Sequence, residues 1–68
     1  MTLQQFQEKV DEVGDCRAIV VGKYLLDEVW SQLKASSRFV AGATRYPTWN
    51  DVDLIPDSHN PTRFEPIY

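Results

Sequence analysis

Residues 16–22 read CRAIVVG, and the way this stretch is read decides the fold. Positions 18–21 are apolar without a break, and Ile19, Val20 and Val21 are β-branched. Gly14-Asp15 precedes the run and Gly22 follows it, so turn-forming residues bound a short segment. β-Branched side chains fit a pleated surface better than a helix. A strand wet on one face alternates apolar and polar residues, whereas an unbroken apolar run reads as a strand covered on both faces. CRAIVV is therefore expected to be a buried central strand, with the rest of the chain arranged around it.

The segments on either side of it read as helices. Over 2–13, Leu3, Phe6, Val10 and Val13 recur at spacings of three and four, which puts them on one helical face. Thr2 stands where an N-cap belongs, and Gln5 three residues on completes a capping box. Gly14 follows, where helices often end in a left-handed residue. Gln4, Glu8, Asp11 and Glu12 fall on the opposite, wet face. Over 23–36, Leu26, Val29, Trp30 and Leu33 form the same kind of stripe. Asp27 and Glu28 lie early and Lys34 lies late, which complements the helix dipole. Ser36 and Ser37 close the helix.

Further on, Gly42 interrupts 38–50 and Pro47 stops any helix, so this part is expected to be irregular, with a strand over 43–46. DVDLI, 51–55, alternates, with Val52 and Leu54 on one face and Asp51, Asp53 and Ile55 on the other. Pro56 is expected to end it. PDSHNP, 56–61, has turn chemistry throughout. TRFEPIY, 62–68, reads as a last strand, and Pro66, which lacks a donor, assigns it to an edge. The fold class is α+β: two helices packed on a small sheet of three to four strands, in the order α-β-α-β-(β)-β, as one domain over 1–68. Should the strands at 18–21 and 51–55 lie side by side and parallel, the helix between them makes a right-handed crossover.

Composition limits what such a domain can be. A chain of 68 residues is near the size at which folding buries only about 60% of the unfolded surface, so a disulfide, a metal or a partner is the usual support. Cys16 is the only cysteine and His59 the only histidine, which excludes an internal disulfide and a Cys/His zinc set. Hydrophobic residues at 43% and charged residues at 25% are ordinary globular values, so a core of its own is expected. The net charge is -3, and no two of the seven basic residues are adjacent, which argues against direct nucleic-acid binding. A nucleic-acid mimic would need acids lined up at phosphate-like spacing. No apolar run approaches the roughly 18 residues that span a bilayer, so no membrane partner is expected. MTLQQFQEKV lacks the basic start of a secretion signal, and one free cysteine suits a reducing compartment, so the expected location is cytoplasmic.

The chemistry-bearing residues are sparse. Cys16, His59 and an aspartate make a hydrolase set only on paper, because nucleophile, base and orienting group must lie within hydrogen-bond reach. Cys16 also starts an apolar strand, where cysteine is usually inert. Asp51, Asp53, Asp57 and His59 form the densest polar cluster. Converging oxygens there would suit a hard cation, while an acidic outer face on an edge hairpin is the plainer reading. Gly22-Lys23 lacks the rest of a phosphate-binding loop and reads as the strand-to-helix turn. Trp30 lies on the apolar stripe of the second helix and reads as core. Trp49, in YPTWND beside Tyr46 and Pro47, is either a lid over the core or a binding anchor.

Residues 17–36 and 48–68 resemble a segment of tailed-phage capsid proteins of the HK97 type. In that pattern a strand leads to a short helix with a Trp-x-x-Leu core, and an extended stretch then leads to a strand followed by a proline-containing turn. The matching residues are Ile19 to Val21, then Trp30 and Leu33, then Val52, Leu54, Ile55 and Asp57. The glycine usual before the second strand is replaced by Asn50-Asp51, and the long spine helix and extended loop have no counterpart. The resemblance implies a small phage-encoded protein, found in the host cytoplasm or as a virion component.

Two functional expectations follow. The first is a non-enzymatic, acidic protein-interaction module without a cofactor. Its partner would be a virion or a host protein, the latter bound and inhibited, with Tyr46, Trp49, Phe64 and Tyr68 as aromatic anchors and Arg45 and Arg63 as polar contacts. Pairing of the apolar edge strand with a second copy is a further route to burial. The alternative is a small metal- or nucleotide-dependent enzyme or regulator using Asp51, Asp53, Asp57 and His59.

Overall fold

The computed structural model describes residues 1–42 and 45–68. Helix α1 spans Leu3–Val13, and Thr2 and Gln5 form the capping box that the sequence predicts. The Thr2 hydroxyl accepts from the Gln5 N–H at 3.2 Å while the Gln5 side chain accepts from the Thr2 N–H at 2.9 Å. Two otherwise unpaired donors of the first turn are satisfied in this way. Gly14 ends the helix at φ 71°, a conformation that disfavours any residue with a Cβ.

Strand β1, Ala18–Gly22, is buried along its whole length, and helix α2, Lys23–Lys34, follows without a loop. Strands β2 (Phe39–Val40), β3 (Thr48–Trp49), β4 (Val52–Asp57) and β5 (Phe64–Ile67) complete the chain. The sheet order is β2-β3-β4-β1-β5, with β1 and β4 parallel and the other pairs antiparallel. The CRAIVV stretch thus lies between two strands as the expected buried central strand, although among the described residues helices cover only one of its two faces, and β1-α2-β4 forms a parallel crossover unit. β5 is the expected edge strand. Gly22 N–H bonds to the Arg63 carbonyl, which by alternation puts Pro66, opposite Ile19, at a position that needs no donor.

Three boundaries differ from the sequence reading. The strand expected over 43–46 rests on Ala43 and Thr44, which lie outside the described residues; the described strands of this region flank it at Phe39–Val40 and Thr48–Trp49. Asp51 is not in a strand. Asn50 and Asp51 have φ of 50° and 66° and join β3 to β4 as a two-residue hairpin turn. Pro56 does not end β4, because Leu54 N–H points toward β3 and bonds to the Pro47 carbonyl. The Pro56 nitrogen points the same way, beyond the last residue pair of β3, where no donor is wanted.

The core lies between one face of the sheet and the two helices. Phe6, Ile19, Val21, Leu26, Val29, Leu33, Trp49 and Leu54 are its buried members. The Phe6 ring meets Trp49 at 5.5 Å and Phe64 at 6.0 Å, both edge-to-face, and so joins α1 to β3 and β5. The Cα radius of gyration, 10.7 Å, matches the roughly 11 Å expected of a single domain of this length. A β-branched residue in the hairpin turn tests its geometry. Asp51→Val should cost about 1–2 kcal/mol, the left-handed penalty, whereas Asp51→Gly should cost nothing. Urea unfolding of the two variants measures the difference.

Candidate interaction surface

The side chains of β1 alternate between the two faces of the sheet. Ile19 and Val21 enter the core, whereas Ala18 and Val20 do not belong to it. Among the described residues no helix packs on this second face. The strand register builds it in rows. Val40, Thr48, Asp53, Ala18 and Ile67 form one row across all five strands. Ile55, Val20 and Glu65 form the next, and Asp57, Gly22 and Arg63 close the C-terminal end of β1. Ala18 and Val20 are shielded by their cross-strand neighbours, while Val40 at 52% and Ile67 at 42% exposure stand out at the two edges.

One end of this face is tied by ions. Arg63 Nη1 donates to Asp57 Oδ2 at 3.1 Å and Nη2 donates to Glu65 Oε2 at 3.0 Å. The guanidinium therefore links β4 and β5, the two strands that flank β1. Asp57 also accepts from the backbone N–H groups of His59 and Asn60 at 2.9 and 3.1 Å, which folds 58–60 into a tight turn. The Arg63 hydrogen bond, followed by that from the Asn60 N–H, holds the Asp57 carboxyl down at about 2. The same guanidinium lowers Glu65.

A group bound less readily by protons in the folded state stabilises that state above its unfolded value and stops doing so as pH falls through the folded one. The window here runs from the ordinary aspartate value of about 3.9 down to about 2. Wild type and Asp57→Asn should thus differ in urea midpoint at pH 6, with the gap closing between pH 4 and pH 2. A gap that stayed constant across that range would remove the carboxylate's role.

The residues expected to contact a partner are scattered. Trp49 is 1% exposed and belongs to the core, so the lid reading replaces the anchor reading: its ring sits opposite Phe39 and against Phe6, inside the helix-covered layer. Phe64 packs on Phe6 with Lys9 Nζ 5.5 Å from its ring centroid, which makes it mainly a core residue. Arg63 is held by its two carboxylates. Tyr68 is exposed at the opposite end of β1, and its hydroxyl donates to the Val13 carbonyl at 2.9 Å. Arg45 and Tyr46 are exposed on the segment leading to β3. The six do not form one patch. The signal that would have found the open face is the alternation in β4 and β5, where Asp53, Ile55, Glu65 and Ile67 share a side.

The chemical clusters are likewise taken apart. Asp51 is in the hairpin turn, Asp53 lies mid-sheet and Asp57 is bound to Arg63. Asp53 and Asp57 are separated by four strand residues, about 13 Å. Among the described residues no group of three His, Cys, Asp or Glu side chains converges on a point. Cys16 precedes β1 and is half-buried rather than sunk in the strand; burial, with Asp15 second, pushes its thiol up. His59 follows β4, and because β1 and β4 are parallel it lies at the other end of the sheet from Cys16. At the start of α2 the Leu25 N–H bonds to the Pro61 carbonyl, so one donor of the first turn is taken by the chain itself.

A groove of about 290 Å³, one of several among the described residues, lies between Lys23, Leu26, Asp27, Trp30, Pro47 and Pro56. It sits at the lower end of the range of about 300–1,000 Å³ for small-molecule sites. Its charged lining, Lys23 and Asp27, pairs internally at 2.9 Å. No helix among the described residues is long and apolar enough to cross a membrane. Comparison of the chain with protein-family models, with curated proteins and with solved structures found no match in any of the three.

Proposed function

We propose that this protein is a non-enzymatic interaction module that docks another protein on the open face of its sheet. The observation that carries this reading is the row Val40–Thr48–Asp53–Ala18–Ile67, which crosses five strands with apolar residues exposed at both ends, on a face that no helix among the described residues covers. A sheet normally buries a face that carries apolar side chains. The resemblance of 17–36 and 48–68 to a capsid-protein segment supports a phage setting for the module, either in a virion or on a host protein in the cytoplasm.

Val40→Glu combined with Ile67→Glu tests the reading, since both side chains are about half exposed and stand at the two edges of the sheet. Affinity capture from a bacterial lysate should retain one dominant protein on the parent and lose it on the double variant, with far-UV circular dichroism unchanged. Retention of that protein by the folded double variant would place the contact elsewhere.

A further inference from the structure

Building on that reading, we infer that the occupant of the open face is an amphipathic α-helix whose apolar stripe is flanked by lysine or arginine. Strand addition is closed at both edges. β5 carries Pro66, which has no N–H to offer, and β2 is a two-residue strand. A partner must therefore approach the face. Five strands about 4.8 Å apart make that face about 19 Å across. The opposite face of the same sheet already seats helices of 11 and 12 residues, so a helix of that length, about 17 Å long and 10 Å wide, fits the open one.

The chemistry of the face selects the helix. Ile55 and Ile67, on either side of the already buried Ala18 and Val20, provide the accessible apolar centre on β4 and β5. Asp53, Asp57 and Glu65 stand among and around them, with Arg63 as the one cation that the strand registers place there among the described residues, so these four charges sum to two negative. Asp57 and Glu65 already hold Arg63, whereas Asp53 makes no ion pair within the described residues. A helix laid along the row of Thr48, Asp53 and Ala18 covers Asp53, and a buried carboxylate without a cation is costly. A lysine or arginine beside the partner's apolar stripe removes that cost and fixes orientation.

The same sign repels nucleic acid and anionic membranes, whose phosphates would face Asp53 and Glu65. It also opposes face-to-face pairing of two copies, because both faces then carry the same net negative charge.

The test uses three synthetic peptides of about 14 residues on the ¹⁵N-labelled protein near 0.15 M salt: a leucine/lysine peptide with leucines at i, i+3, i+4 and i+7, a scrambled version of the same composition, and a leucine/glutamate version. The first should shift the amides of residues 18, 20, 40, 48, 53, 55 and 67, bind at least tenfold more tightly than the scramble, and weaken about tenfold on Asp53→Lys. Asp53→Asn, which should weaken it less, serves if the lysine variant does not fold.

Equal affinity for the scramble, preference for the glutamate peptide, or shifts confined to α1, α2 or the groove at Trp30 would overturn the inference. So would shifts of the open-face amides on concentrating the protein alone, which would mean a second copy, or on adding anionic lipid vesicles. If the captured protein is still lost on the Val40/Ile67 variant while the lysine peptide fails, docking on the open face stands and the basic helix alone is wrong.

Discussion

Trp49→Ala should remove a large share of the protein's stability. Trp49 is the largest fully buried side chain, 1% exposed on a two-residue strand, and it meets the Phe6 ring edge-on. Cutting a buried aromatic to alanine costs about 3–5 kcal/mol, from lost transfer energy and the cavity left behind. A domain of this length is stable by only about 3–10 kcal/mol. The thermal midpoint should fall by more than about 12 °C, or the cooperative transition should vanish. Tyr46→Ala, three residues earlier and 48% exposed, should cost less than about 0.5 kcal/mol. The pair separates a core tryptophan from a surface anchor. If Trp49→Ala kept a native melting curve and lost only partner binding, the packing described for β3 would be wrong.

Gly22→Ala should be a damaging change for a single methyl group. Its φ of -55° is open to any residue, so the backbone conformation does not require glycine. Space does: a Cβ there would fall on the Pro61 carbonyl and lie 2.6 Å from Thr62 N. These are backbone atoms, so no side-chain rotation relieves the overlap. The 58–62 turn would have to lift, straining the Gly22 N–H bond to the Arg63 carbonyl and the Leu25 N–H bond to the Pro61 carbonyl. Overpacking of this kind costs about 1–3 kcal/mol. Because Asp57 and Arg63 bracket that turn, the variant should also lose much of the pH 2–4 stability difference assigned to Asp57. Urea unfolding at pH 6 and pH 2 reads both effects. An unchanged midpoint would show that the turn does not rest on Gly22.

Both helices were legible because each is specified locally. The capping box at Thr2 and Gln5 and the Leu26–Val29–Leu33 stripe involve residues within two turns of each other. The central strand was legible because all four residues of its apolar run are buried, Ile19 and Val21 under the helices and Ala18 and Val20 among their cross-strand neighbours. β3 was not legible. Two residues, Thr48 and Trp49, make no periodicity, and their pairing is decided by Phe39 ten residues before and Val52 beyond the turn. The Asn50-Asp51 turn did carry a signal in its residue types, since both tolerate positive φ, but Asp51 also fits the alternation of DVDLI, and that reading prevailed.

The candidate surface followed the same division. Sequence pattern put Asp53 and Ile55 on one side of β4, yet nothing local says that this side, together with Ala18, Val20 and Ile67, is the one the helices leave uncovered. Exposed aromatics looked like anchors because tryptophan and tyrosine often are, and only the three-dimensional packing shows that Trp49 and Phe64 are held by Phe6. By itself, then, the sequence determined the α+β class, the two helices, the buried central strand and the proline-marked edge, because those depend on neighbours close along the chain. Tertiary structure alone decided the strand order, the burial of Trp49 and the open face, because each depends on which distant segments share the limited apolar surface of one small sheet.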